Sequence, residues 1–186
     1  VLCACIAAFS ACGGDRTATE TVADLRPGVA SSQSFGSDVQ KDLAALRQAT
    51  AAFHEIDVAG HAGWGAQITD CMTSALGGMG FHFGNTKLFD GSVRVDEPEL
   101  LLYEPEQNGR MRLVAVEYII PYAAHARTDA PPELFGQQFK QVDAFQLWGL
   151  HAWVWKDNPS GMFADWNPNV TCDHAPATTA MSPMDH

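Results

Sequence analysis

The sequence predicts an α+β domain, with one long N-terminal helix packed on a curved antiparallel sheet. The sheet is expected to form a cone or half-barrel with an interior pocket. Two observations carry this. An apolar stripe at spacings of three and four runs once through residues 39–56. From residue 77 onward, apolar residues fall in short or alternating blocks between Gly-, Asn- and Pro-rich breaks. A helix followed by strands, without helix–strand alternation, is the α+β order.

The helix opens at Ser37, where Ser37-Asp38-Val39-Gln40 has the form of a capping box. Val39, Leu43, Leu46, Ala49, Phe53 and Ile56 then make a single stripe. Gly60, Gly63 and Gly65 end the helix between Val58 and His61. Gly77 to Asn85 is a Gly-rich lead-in to a short alternating segment. Leu100 to Glu104 is a strand, Pro105 to Gly109 a turn containing Asn-Gly, and Met111 to Ile120 the return strand, stopped by Pro121. Residues 121–145 are mixed, with a short helical turn expected from Glu133 to Phe139. Phe145 to Trp155 is the last long strand, broken by Asn158-Pro159 and followed by the turn Trp166-Asn167-Pro168.

A chain of 186 residues fits one domain with tails, here residues 37–172. The formal charge of −11 and the lack of a Lys/Arg cluster argue against a nucleic-acid partner. Residues 1–12 read as the apolar part of a signal segment, because the run is too short to span a bilayer. Phe9-Ser10-Ala11-Cys12 resembles a bacterial lipobox, in which Cys12 carries the lipid and Cys3 and Cys5 are removed with the signal. The competing readings are a plain secretory signal or a buried apolar segment. Gly13-Gly14 after the cysteine favours the outer membrane over inner-membrane retention. The expectation is a cell-envelope protein, lipid-anchored and periplasm-facing. Residues 13–36 are a polar, aperiodic tether and 173–186 a disordered tail.

Cys71 and Cys172 remain, and in an oxidising compartment they most simply form one disulfide. A Cys/His metal site is the rival, but no CxxC pair supports it.

The chemistry rests on polar residues inside apolar strands. His82 alternates with Phe81 and Phe83 and is flanked by Gly80 and Gly84, which would leave space around the imidazole or mark a bulge. Glu117 shares a face with Leu113, Ala115 and Ile119, where a carboxylate must find a partner or a metal, or be protonated. His151 shares a face with Leu147, Gly149, Trp153 and Trp155. Two histidines and a carboxylate are a recognised ligand set for one divalent ion, Zn, Fe or Cu, with open coordination positions. His54 is a fourth candidate ligand at the edge of the helical stripe. Trp153, Trp155 and Asn85 are candidate pocket-lining residues. The competing reading is a metal-free hydrogen-bond network, or histidines scattered through the core. His54, Asp57 and His61 share one helical face, which a solvated surface explains as well. Met181-Ser182-Pro183-Met184 with His186 could bind soft copper but suits a plain tail. No Gly-x-Ser-x-Gly elbow, phosphate loop or HExxH signature is present.

Several blocks carry a resemblance. Met79-Gly80-Phe81-His82-Phe83-Gly84-Asn85 and the stretch from His151 through Trp153-Val154-Trp155, Asn158-Pro159, Gly161 and Phe163 to Trp166-Asn167-Pro168 resemble a family of bacterial secreted proteins and lipoproteins. Phe53-His54-Glu55, Val116-Glu117-Tyr118 and Leu134-Phe135-Gly136 fall in it too. The resemblance spans about residues 50–172 and implies an exported compact domain without an established activity.

Three functions fit these observations. The first is an envelope lipoprotein whose pocket binds a metal or small molecule. The second is a metal-dependent hydrolase or oxygenase on the same residues. The third is an envelope interaction protein, which requires solvent-exposed tryptophans.

Overall fold

The computed structural model describes Val1 and residues 35–176. The lipobox with Cys12, nearly all of the tether and the Met/His end of the tail lie outside the described residues. Phe35, assigned to the tether on sequence, packs edge-on against Phe163 at 5.4 Å.

The class is α+β with a curled antiparallel sheet of six strands. The elements are α1 (Ser37–Thr50), α2 (Ile56–Ala62), β1 (Ala66–Ser74), β2 (Gly77–Gly84), β3 (Leu100–Pro105), β4 (Met111–Pro121), β5 (Glu133–Leu134), β6 (Gln137–Gln138), β7 (Lys140–Val142) and β8 (Leu147–Ala152). The large sheet runs β1-β2-β3-β4-β8-β7, and β5 and β6 form a separate hairpin. No described helix is long and apolar enough to cross a membrane.

The single long helix is corrected to two. After α1 the chain tightens into a 3₁₀ turn at Ala51–His54, and Glu55 is extended (φ −92°, ψ 106°). No glycine or proline causes the break. At the break the Tyr103 hydroxyl donates to the Phe53 carbonyl at 2.6 Å, which gives a carbonyl at the end of the 3₁₀ turn a partner. The turned segment lets Trp64 donate to the Pro98 carbonyl at 2.8 Å. The capping box is also corrected. Gly36 is the N-cap, no side chain caps the helix, and Gln40 donates to the Phe35 carbonyl at 2.7 Å.

The sheet separates two apolar layers. Leu101, Tyr103, Val116, Tyr118, Trp148 and Leu150 face the helices and meet Leu43, Leu46, Ala59 and Trp64. Leu100, Leu102, Ala115, Ile119 and Trp153 face the other way, with Val114 and Val170. Leu113 lies in the helix layer, contrary to its expected place beside Glu117. A bulge is the reason: Leu102 pairs with Ala115 but Tyr103 pairs with Leu113, so Val114 is the extra residue and the alternation inverts there.

Three further expectations change. Residues 133–138 form a two-residue hairpin, not a helical turn. Phe135 and Gly136 both take positive φ (56° and 67°), the geometry of a tight hairpin. Burial of Phe135 against Phe163 and Tyr118 holds it there. The last strand is shorter than expected, because after Ala152 the Trp153 amide turns to the Met162 carbonyl at 2.9 Å. Finally, β1 is an unanticipated strand, irregular in register and mostly exposed, so it carries no clean alternation.

The expected disulfide is present. Cys71 on β1 bridges Cys172, with Cα atoms 5.8 Å apart and a sequence separation of 101. By the chain-entropy relation a loop of this size contributes about 4–5 kcal/mol. The two Asn-Pro pairs organise the segment before it. Asn158 donates to the Trp166 carbonyl and Asn167 to the Asp157 carbonyl, both at 3.1 Å. Asn167 also bridges to Gly78 on β2, which brings Asp165 and Trp166 over the sheet face opposite the helices.

Candidate metal centre

His82 projects from β2, Glu117 from β4 and His151 from β8. Glu117 and His151 are direct cross-strand partners. His82 is two strands from Glu117, a separation of about 10 Å in a flat sheet. Curling of the sheet and extension of both side chains close that gap. His82 Nε2 lies 3.5 Å, and His151 Nε2 3.8 Å, from the same oxygen, Glu117 Oε2. One potential ligand atom from each residue lies within 4.8 Å of the others. The imidazoles stand nearly perpendicular, at 80°.

All three side chains are buried: His82 is 3% exposed, Glu117 7% and His151 5%. Burial sets their protonation. It lowers the pKa of His82 to about 3, assisted by the neighbouring His151. It lowers that of His151 to about 3, assisted by the Lys140 ammonium. It raises Glu117 to about 8, helped by the charges of Asp165 and Glu99. At neutral pH and without an ion, the cluster therefore consists of two neutral imidazoles and a carboxylic acid.

No member of the set hydrogen-bonds to another, and His151 Nε2 is buried without a partner. An orphaned ring nitrogen costs about 1–3 kcal/mol. A closed metal-free network would have contracted these contacts to about 2.8 Å. The wider spacing leaves one potential ligand atom of each residue within 4.8 Å of the others. The outer groups are ordered: the Thr69 hydroxyl sits 2.9 Å from His82 Nδ1 and fixes the ring from behind.

The glycines act differently from the expectation of free space. A Cβ on Gly80 would meet the Tyr103 carbonyl oxygen at 2.3 Å, and Gly80 has φ +85°. That glycine serves the backbone. The space beside Gly84 is filled by Ile68 and Leu100. Gly149 is the functional one, because a Cβ there would lie 2.9 Å from Glu117 Oε1.

The cluster opens into a cavity of about 490 Å³. Its walls include Ile68, Met72, Met79, Phe89, Leu100, Ile119, Phe145 and Leu147, and Lys140, Asp165 and Trp166 stand on one side. Lys140 Nζ pairs with Asp165 Oδ1 at 2.7 Å.

The other predicted site residues are placed elsewhere. His54 is exposed and packs edge-on against Trp155 at 4.4 Å, on the helix side of the sheet. Trp155 itself donates to the Thr50 hydroxyl at 3.1 Å. Both are separated from Glu117 by the sheet, because the strand ends at Ala152 and alternation no longer orients Trp155. Trp153 stacks beneath His151 (11° between rings) and supports the ligand without lining the cavity. Asn85 ends β2 and accepts from the Lys87 amide at 3.3 Å. His61 bonds back to the Asp57 carbonyl on its own helix. Sequence reasoning missed Thr69, Lys140, Asp165 and Trp166 as neighbours of the site. Only Trp166 had a visible signal, its place between the two Asn-Pro turns.

No family model matches the chain, and neither a curated protein nor a solved structure matches it.

Proposed function

We propose that this domain binds one divalent transition-metal ion through His82, Glu117 and His151, at the floor of a cavity that receives a small molecule. The observation that carries this is the convergence of three buried donors that do not hydrogen-bond to one another. Ligand atoms about 2.1 Å from a tetrahedral ion lie about 3.4 Å apart. The separations of 3.5 and 3.8 Å from Glu117 Oε2 are close to that value. Two imidazoles and one carboxylate suit zinc first, with iron(II) and copper(II) behind it, and they leave coordination positions open toward the cavity.

The setting we propose is an exported, lipid-anchored protein facing the periplasm, at the outer membrane, within the group of secreted proteins whose motif blocks it resembles. The lipobox-like residues and the Cys71–Cys172 bridge support this reading. The interaction-surface alternative needs exposed tryptophans. Trp64, Trp148 and Trp153 are buried, and Trp155 and Trp166 are half-buried.

Elemental analysis of the full chain, purified without a His tag, beside His151→Ala tests the metal site. We expect about one equivalent of metal in the parent and loss of most of it in the variant. A folded parent that takes up neither zinc, iron nor copper when supplied would end the proposal.

A further inference from the structure

We infer that the cavity ligand is an apolar monocarboxylate whose head group coordinates the metal and whose body fills the cavity. This deepens the metal reading and rests on it. The first argument is charge. A divalent ion on Glu117 and two neutral imidazoles leaves one net positive charge at the cavity floor. Lys140 and Asp165 neutralise each other at 2.7 Å and leave that balance unchanged. In surroundings this apolar an uncompensated charge is costly, and one anionic oxygen head removes it. A dianion such as a phosphate monoester would overshoot, and a neutral head would leave the charge standing.

The second argument is the wall. A cavity of about 490 Å³ lies within the range that binds small organic molecules. Apart from the ligand cluster its lining is dominated by aliphatic and aromatic side chains. The apolar character continues to the surface: Ile68 and Phe145 line the cavity yet are 41% and 53% exposed. Exposed apolar groups at the rim of an apolar cavity mark a place where an apolar body passes or rests.

The test uses the full chain loaded with cobalt(II), whose visible spectrum reports coordination, with calorimetric titration as a second signal. The probes are decanoate and naphthoate, their neutral twins decanamide and naphthamide, and decyl phosphate. The two acids separate an alkyl source from an aryl one. At least one acid should bind the cobalt-loaded chain about thirtyfold more tightly than its amide does, and than it binds the metal-free chain, and should change the cobalt spectrum. Phe145→Ser, a surface truncation, should weaken that acid about fivefold or more without altering cobalt affinity. Cobalt uptake with no preference for the acids, or with decyl phosphate bound best, overturns this inference and leaves the metal reading intact. A folded chain that takes up neither cobalt nor zinc, iron or copper overturns both.

Discussion

Loading the site with zinc at different pH values probes the cluster's protonation directly. Burial raises the Glu117 pKa to about 8 in the metal-free chain, so at pH 7 and below it is mostly protonated. His82 and His151, near 3, carry none above pH 5. Zinc binding must expel the Glu117 proton and no imidazole proton. Between pH 5.5 and 6.5 the water on a bound zinc, with a pKa of about 7, keeps most of its protons. Apparent affinity should therefore rise close to tenfold per pH unit over this window, or about 1.4 kcal/mol per unit. Calorimetry in buffers of different ionisation enthalpy should count about one proton released per zinc. A site of two ordinary solvated histidines behaves differently: it approaches two protons below pH 6.5 and levels off above it. Release of two protons at pH 5.5 would refute the buried neutral imidazoles. A flat profile would refute the protonated carboxylic acid.

Three further outcomes follow from the same geometry. Thr69→Val removes the hydroxyl that orients His82 and should lower zinc affinity about ten- to a hundredfold with the fold intact, as read by competition with a chelator. Gly149→Ala drives a methyl against Glu117 Oε1 and should lower zinc affinity at least about tenfold, while circular dichroism stays that of the parent. The metal-free chain should have a stability plateau between about pH 4.5 and 6.5 and weaken above it, measured by urea unfolding. Glu99 and Glu117, near 8 when folded against an ordinary 4.5, subtract stability as pH rises through that interval. His82 and His151, near 3 against 6.5, add stability as pH rises from 3 to 6.5 and offset the two acids in the shared window. Above 6.5 the acids act alone, at up to about 2.7 kcal/mol per pH unit, and bound zinc should remove the Glu117 half of that slope.

The sequence carried the cluster because the residues directly flanking His82, Glu117 and His151 keep the strand alternation. It failed wherever regularity lapsed. Leu113 was misplaced by the bulge at Val114, and Trp155 by the end of β8, since a period of two predicts nothing beyond an interrupted ladder. The helix break at Glu55 coincides with a hydrogen bond from Tyr103, fifty residues away from Phe53, and no local propensity announces it. Thr69 and Lys140 lie on an irregular edge strand and a three-residue one, both largely exposed, where hydrophobic patterning is silent. Of the two meanings open to the glycines around His82, space for a ligand or a backbone irregularity, the second holds at Gly80. Glycine beside a histidine marks close approach, and at Gly80 what approaches is a backbone carbonyl.

The bridge from Cys71 to Cys172 also has a meaning as topology. It converts the chain between them into a covalent ring, and His82, Glu117 and His151 all lie on that ring. A single proteolytic cut anywhere inside it opens the ring yet leaves one connected molecule, with every metal donor still attached. The helices have no such insurance. Both α1 and α2 precede Cys71, so a cut between Ala62 and Ala66 severs them from the ring altogether. The two ends of the domain thus differ in how they survive damage: the strand that carries each donor is tethered twice, and the helical cover once.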